Sequence, residues 1–392
     1  MLLTFAGVDF VDKRYEFGPG PEFDRNDWLD EKHNLGLDFP NLPYYIEDDV
    51  KLTQTIAILR YLGRKYKLDG QNEQEWQRIE LCEQQFMDFV RAMVRMVYDT
   101  DFEKLKLQML EKLPVDLELF SNFLGDHPFV SGTKLSYVDF LTYECLRNFL
   151  LEKISFITTT RSEDFALSDG EKRIIKCLRD GLLDIRGLGH PIRMLLTYVG
   201  VDFVDKRYQI GPGPEFDRSD WLNEKFNLGL DFPNLPYYIE GDIKLTQSIA
   251  ILRYLGRKYN LDGQNEQEWR RIALCEQQIV DLFWAMARIF YDPNFEKLKL
   301  DLFAKLPDDL KFLTEFLGDH PFVAGTNLSY IDFLVYEYFV RVKLFAPEIF
   351  AKFPSMNSFI NRFESIPKIS AFIKQQEPQF LNARLAQWNV KY

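Results

Sequence analysis

Between Ile249 and Tyr259 the apolar side chains fall at Ile249, Leu252, Leu255 and Tyr259, the three-to-four spacing that lines one helix face. Gln247 and Ser248 open this helix, and a serine there can cap free backbone N–H groups. Further upstream, Pro191 stands where a helix can begin, so a helix is predicted over Ile192–Val199, closed by Gly200. Val201–Tyr208 carries Val, Phe and Tyr and predicts a strand. The Gly- and Pro-rich run GPGPEFDR (211–218) predicts a loop, and Ser219 a cap for a short helix through Trp221 and Lys225 to Asn227. Tyr237–Ile239 and Ile243–Leu245 predict a hairpin turning at Gly241. From Glu266 onward every segment reads helical. With a first strand near Asp184 the order becomes β-α-β-α-β-β-α followed by an all-α region.

The same pattern occurs twice. MLLTFAGVDFVDKRY begins at Met1 and MLLTYVGVDFVDKRY at Met194, an offset of 193 residues. The match continues through GPGPEFDR, GLDFPNLPYYIE, AILRYLGRKY, LDGQNEQEW, FEKLKL and LGDHPFV, and fades after Tyr143 and Tyr336. A period this long is a whole-protein duplication and not a solenoid repeat. The copies are unequal. Copy two is preceded by DGLLDIRGLGHPIR and continues to Tyr392, whereas copy one runs into a Ser/Thr-rich connector (155–169) with a short β-like piece at Phe156–Thr159. Copy one is therefore expected to be truncated at both ends.

Composition narrows the classes of function. The 392 residues are 46% hydrophobic and 28% charged, an ordinary globular balance with material for several cores. The formal charge of −12 argues against a nucleic-acid backbone or an anionic membrane as general partner. Cys82, Cys145, Cys177 and Cys275 lack the spacing of a zinc site and read as reduced thiols, which implies a cytoplasmic protein. The first residues turn acidic too soon for a secretory signal, and no run of about 18 apolar residues exists to span a membrane. His190 and His320 have no metal-ligand spacing, so no metal is expected.

The longer motifs of copy two are DIRGL (184–188), FDRSDWLNEKFNLGLDFPNLPY (216–237), TQSIAILRYLGRKYNLDG (246–263), LSYIDFLVYEY (328–338) and RFESIPKISAF (362–372). In this order they resemble the mu class of glutathione S-transferases, with wording close to the mite enzymes known as group 8 allergens. The resemblance covers 181–392 and again 1–143. It implies a thioredoxin-like domain followed by an all-helical domain, present twice with the first copy incomplete. The expected boundaries are 1–69 and 70–152 for copy one, 153–180 for a linker, and 181–262 and 263–392 for copy two.

The resemblance also implies roles. Arg218, Trp221 and Lys225 would hold the glycine carboxylate of glutathione, since cationic donors make charge-assisted bonds to carboxylates. Asn234 and the Leu235 backbone would hold the cysteinyl part, before a cis bond to Pro236. Gln247 and Ser248 would take the γ-glutamyl end at a helix N-terminus, where free N–H groups favour an anion. Asp281 would reach the γ-glutamyl amine of a neighbouring subunit. Leu188, Val280, Trp284 and Tyr291 would line a pocket for an apolar electrophile. Copy one keeps Arg25, Trp28, Lys32, Asn41, Leu42, Gln54, Thr55, Asp88 and Tyr98 in matching places. Taken singly these residues have plainer readings: Trp221 as a packed aromatic, Lys225 and Arg218 as solvated charges, Phe232 as core or as an aromatic key for a partner's helical domain.

One departure matters to the chemistry. Where the family has Gly-Tyr-Trp before DIRG, this chain has Gly181-Leu182-Leu183. A free thiol titrates near pH ~8.5, and a donor to the thiolate brings this toward neutrality; Leu182 has no donor, so no catalytic residue is identified. Two classes of function follow: transfer of glutathione to electrophiles, or binding of glutathione and ligands without efficient chemistry. A third account makes the chain a fused product of adjacent duplicated genes. The implied partners are glutathione as co-substrate and small apolar electrophiles, with a homodimer or an intramolecular pseudo-dimer as the assembly.

Overall fold

The computed structural model describes residues 1–19, 24–99, 101–153, 186–208, 211, 215–375, 379–382 and 386–392, as backbone alone over 147–153. Leu182, the expected first strand near Asp184, the β-like piece at Phe156–Thr159 and Cys177 lie outside the described residues.

Copy one forms α1 (Leu2–Phe5), α2 (Asn26–Leu29), a hairpin of β1 (Tyr44–Glu47) and β2 (Val50–Thr53), then α3 (Thr55–Lys65), α4 (Glu73–Tyr98), α5 (Phe102–Leu124) and α6 (Tyr137–Lys153). Copy two forms α7 (Gly189–Val199), α8 (Ser219–Lys225), a hairpin of β3 (Tyr237–Glu240) and β4 (Ile243–Thr246), then α9 (Ser248–Lys258), α10 (Glu266–Phe290) and α11 (Phe295–Leu317). It ends with α12 (Tyr330–Phe345), α13 (Pro347–Phe350), α14 (Pro354–Glu364) and α15 (Pro367–Gln375).

Local chemistry explains most of these boundaries. Helix α7 stops because Gly200 adopts φ 80°, and its N–H returns to the Leu196 and Thr197 carbonyls. The hairpin pairs Tyr237 with Thr246 and Glu240 with Ile243 across Gly241, whose φ of 56° a tight turn requires. Helix α10 starts where the Asn265 side chain accepts from the Glu268 N–H at 3.0 Å. Helix α12 starts with a reciprocal capping box between Ser329 and Asp332. All its residues except Lys343 and Leu344 are buried, so it runs through the core.

Two expectations are corrected. Val201–Tyr208 does not form a strand, because a strand needs a ladder partner and none of the described residues pairs with it. Helix α8 ends at Lys225 and is capped from outside: the Asp217 carboxylate accepts from the Ser219 N–H at 2.9 Å and from the Ser219 hydroxyl at 2.6 Å. An acid two residues upstream thus does the work assigned to the serine.

Contacts among the described residues gather into two compact units, and each draws on both copies. The first contains Met1–Tyr66, the segment ending at Asp202, and Leu252–Tyr392. Within it α3 of copy one packs on α10 of copy two, α7 packs on α12 and α15, and the Phe39 ring lies 5.0 Å from that of Phe316. The second contains α4, α5 and α6 of copy one with Phe203–Ile251 of copy two. Within it α4 packs on α6 and meets β4, and the buried Phe232 ring lies 5.0 Å from that of Phe123.

Candidate functional site

In the second unit, Trp221 projects from α8 into a small core with Tyr208, Leu230, Leu235 and Tyr237, and is only 7% exposed. Its ring stacks on Tyr237 at 6.0 Å and meets Tyr208 at 5.2 Å. The Tyr208 and Tyr237 hydroxyls are 2.9 Å apart, and Tyr208 donates to Glu224, which also binds Lys206. Burying this aromatic set anchors the short α8, a helix too short to persist unaided. Anchoring α8 in turn places Lys225 at its last turn and Arg218 at its N-cap.

The surroundings of Lys225 are cationic. Burial holds its amine below the usual lysine range, and Lys112 and Arg218 push it further down, while Asp116 opposes them. Lys112 and Asp116 come from α5 of copy one and form an i,i+4 pair at 3.3 Å. In a chain of net charge −12 this is a local concentration of positive charge suited to a carboxylate. Asn234 is exposed beside the buried Leu235, and the Leu235–Pro236 bond is cis.

Gln247 has φ 65° and sits immediately before the first residue of α9, Ser248. Its side-chain amide donates to Asp88 Oδ2 at 2.9 Å and to Gln85 Oε1 at 3.0 Å, both from α4 of copy one. Asp88 is also 3.2 Å from Arg91. Burial raises the Asp88 carboxyl above its ordinary range, and Arg91 and the Gln247 amide partly offset this. The acid that meets the copy-two set is therefore Asp88. Asp281 lies exposed on α10 in the first unit.

The first unit holds the copy-one set apart from Asp88 and Tyr98. Arg25 is the N-cap of α2, Trp28 is buried and stacks on Tyr44 at 6.0 Å, and Lys32, Asn41 and Leu42 follow. Gln54, at φ 66°, donates to Gln278 Oε1 at 2.9 Å just before Thr55 opens α3. Gln278 and Asp281 repeat the Gln85 and Asp88 spacing on α10. The first unit also contains the residues expected to line an electrophile pocket. Val280 is buried and Trp284, one turn on, is 41% exposed; Tyr291 is the C-cap of α10 and Leu188 the N-cap of α7.

Gln85, Lys112 and Asp116 were not singled out in the sequence. A signal for Gln85 existed in the Gln-x-x-Asp spacing that recurs 193 residues later. Lys112 and Asp116 carry no such mark, because an i,i+4 pair on a surface helix is commonplace. Among the described residues no group of three or more His, Cys, Asp and Glu side chains is arranged for a metal ion.

Comparison with known proteins covers both copies of the repeat. The glutathione S-transferase N-terminal domain matches residues 1–64 and 181–257, and the glutathione S-transferase C-terminal domain matches 87–165 and 280–376. Both domains thus occur twice in tandem, a thioredoxin-like α/β domain followed by a helical one. A glutathione S-transferase of Dermatophagoides pteronyssinus is 58% identical over 212 residues, 54% of this chain and 97% of that protein. Glutathione S-transferase Mu 1 of Bos taurus is 49% identical over 213 residues, 54% of this chain and 98% of that protein. Among solved structures, the crystal structure of the glutathione S-transferase Blo t 8 is similar with a TM-score of 0.50 and 33% identity, covering 55% of this chain and 99% of that one.

Proposed function

Because this chain belongs to the glutathione S-transferase family, related to its mite and mu-class members, we propose that it binds glutathione through copy two and that copy one completes the site from within the same polypeptide. Glutathione is the co-substrate, and its conjugation to electrophiles through the thiol sulfur is the activity at the family level. The observation that carries the proposal is the pair of bonds from Gln247 to Asp88 and Gln85, formed at the N-terminus of α9 in the unit that also holds Arg218, Trp221, Lys225, Asn234, Leu235 and Ser248. On this reading Arg218 and Lys225 receive the glycine carboxylate. Gln247, Ser248 and the free N–H groups of α9 receive the γ-glutamyl carboxylate, and Asp88 its amine. Copy one then acts as an intramolecular stand-in for a dimer partner.

In the reaction the thiol loses its proton to solvent, the sulfur forms a bond to an electrophilic carbon, and the leaving group departs with its electron pair. With Leu182 in place of the family's tyrosine, the developing thiolate would lack the hydroxyl that the tyrosine supplies, and loss of one such donor typically costs on the order of 10²–10³ in rate. A second reading, a glutathione-binding protein without efficient chemistry, rests on that residue.

Calorimetric titration with glutathione at neutral pH tests the binding. Saturable binding is expected, weakened by about 1.5–3 kcal/mol in Lys225→Ala and in Asp88→Asn, as for other hydrogen bonds to charged groups. Absence of heat at millimolar glutathione would overturn the proposal. Conjugation of a chromogenic aryl halide by the parent and by Leu182→Tyr separates the two readings. A rise in turnover with little change in affinity supports the missing donor, and equal pH profiles contradict it.

A further inference from the structure

On α4 of copy one, Arg91 occupies the position that Trp284 holds on α10 of copy two, an offset of 193 residues. The exchange puts a cation one helical turn beyond Asp88, where the repeated helix has an aromatic ring. Arg91 Nη1 lies 3.2 Å from Asp88 Oδ1, and Asp88 Oδ2 accepts from the Gln247 amide at 2.9 Å. One carboxylate thus holds a guanidinium on one oxygen and Gln247 on the other. Gln247 itself stands immediately before Ser248, the first residue of α9. All these residues belong to the second unit.

The guanidinium is only partly used. Its Nη2 is buried and has no hydrogen-bond partner among the described residues. A buried donor left unmade is costly, more so on a charged group, and calls for an acceptor. The other cation within electrostatic range of Asp88 is Lys112 of α5, which is engaged by Asp116 at 3.3 Å. Arg91 and Asp88 therefore stand as a neutral pair with capacity on both sides. Nη2 has its N–H groups to give, and a carboxylate with about four lone-pair sites has used two of them. Such a pair complements a zwitterion whose two charges sit on one carbon, as in the head of an α-amino acid.

From this arrangement we infer that Arg91 is a specificity-determining residue of the copy-two site, its Nη2 donating to the α-carboxylate of the γ-glutamyl group while Asp88 accepts from the ammonium on the same carbon. The inference rests on the glutathione reading above and extends it. Copy one then supplies an acid and a cation together, and the pair selects γ-glutamyl peptides with a free α-carboxylate over peptides that lack it. The copy-one set in the first unit is not equipped in this way. Three residues after Asp281 stands Trp284, whose ring offers no charge to a carboxylate. The duplication has thus diverged at a position that gives the copy-two set the stronger hold on the γ-glutamyl head.

The test titrates the full-length protein by calorimetry with two ligands, glutathione and γ-aminobutyryl-cysteinylglycine. The second keeps the amine, the thiol and the glycine carboxylate but lacks the α-carboxylate. Arg91→Met is expected to weaken glutathione by about tenfold or more, as for other hydrogen bonds between charged groups. The same variant should change the affinity of the analogue by less than about threefold. Asp88→Asn should weaken both ligands, because they share the amine. An unchanged thermal melt shows that the variants fold, and Arg91→Gln, with the same selective loss expected, serves if the methionine variant melts lower. Equal loss of the two ligands in the Arg91 variants, or no loss of glutathione, overturns the inference and leaves the glutathione proposal standing. Absence of binding of either ligand by the parent overturns both.

Discussion

Glu276 is the residue whose loss the first unit should tolerate least. Its carboxylate is 0% exposed and accepts from Arg60 Nη1 at 3.0 Å, Arg253 Nε at 2.9 Å, the Tyr330 hydroxyl at 2.7 Å and the Gln277 amide at 2.9 Å. Two guanidiniums thus converge on one acid, Arg253 from copy two with a side chain 4% exposed and Arg60 from copy one with 10%. Glu276→Gln preserves the shape and removes the charge, leaving both cations buried without it. Removing one partner of a buried ion pair costs about 3–5 kcal/mol. At about 2–4 °C per kcal/mol for a unit of this size, the first calorimetric transition should fall by roughly 6–20 °C. Arg60→Met should behave differently, because Arg253 still neutralises Glu276; its cost should stay below about 1 kcal/mol. Differential scanning calorimetry with urea titration of tryptophan fluorescence measures both variants. A Glu276→Gln protein within 1 kcal/mol of the parent, or an Arg60→Met protein as damaged as Glu276→Gln, refutes this account.

Residues 1–150 expressed alone should show no cooperative melt, because Phe39 and Arg60 then lose Phe316 and Glu276, and Phe123 loses Phe232; a sharp transition with saturable glutathione binding would contradict this. Burial pushes the Asp332 carboxyl up to about 6 despite its bonds from Ser329 and Val323. Against an unfolded value near ~3.9, the folded state binds the extra proton between about pH 4 and 6, so stability falls as pH rises through that window, by up to roughly 3 kcal/mol. Asp332→Asn should therefore gain relative to the parent over the same window in melts taken from pH 4 to 7, and a pH-independent gap would refute the assignment. Burial raises the Cys82 and Cys275 thiols far above neutrality and Cys145 to about 11. Iodoacetamide at pH 7 should then leave Cys82 and Cys275 unmodified in the folded protein by peptide mass spectrometry, and rapid labelling of either would show that its helix opens.

Much of the local structure was readable because its causes are local. Period and punctuation placed α7, α9 and the β3–β4 hairpin, with Gly200 and Gly241 at the positions that need positive φ. Ser329 and Asp332, three apart before an apolar run, already spelled a capping box. Val201–Tyr208 shows where this stops, since β propensity makes a strand only when a neighbour supplies the ladder. The set Arg218, Trp221, Lys225, Asn234, Gln247 and Ser248 was legible as an ordered motif. Its neighbours from copy one were not. The duplication makes Asp88 and Asp281 equivalent in sequence, as it does Phe123 and Phe316, so neither pattern nor propensity distinguishes the partner from the same copy from the partner in the other. Packing makes the choice: Phe232 seats against Phe123 in the unit where Asp88, from the other copy, meets Gln247, and Phe39 seats against Phe316 in the other unit. The repeat therefore determined two sets of complementary surfaces, and only the tertiary structure decided that each surface meets its complement in the opposite copy.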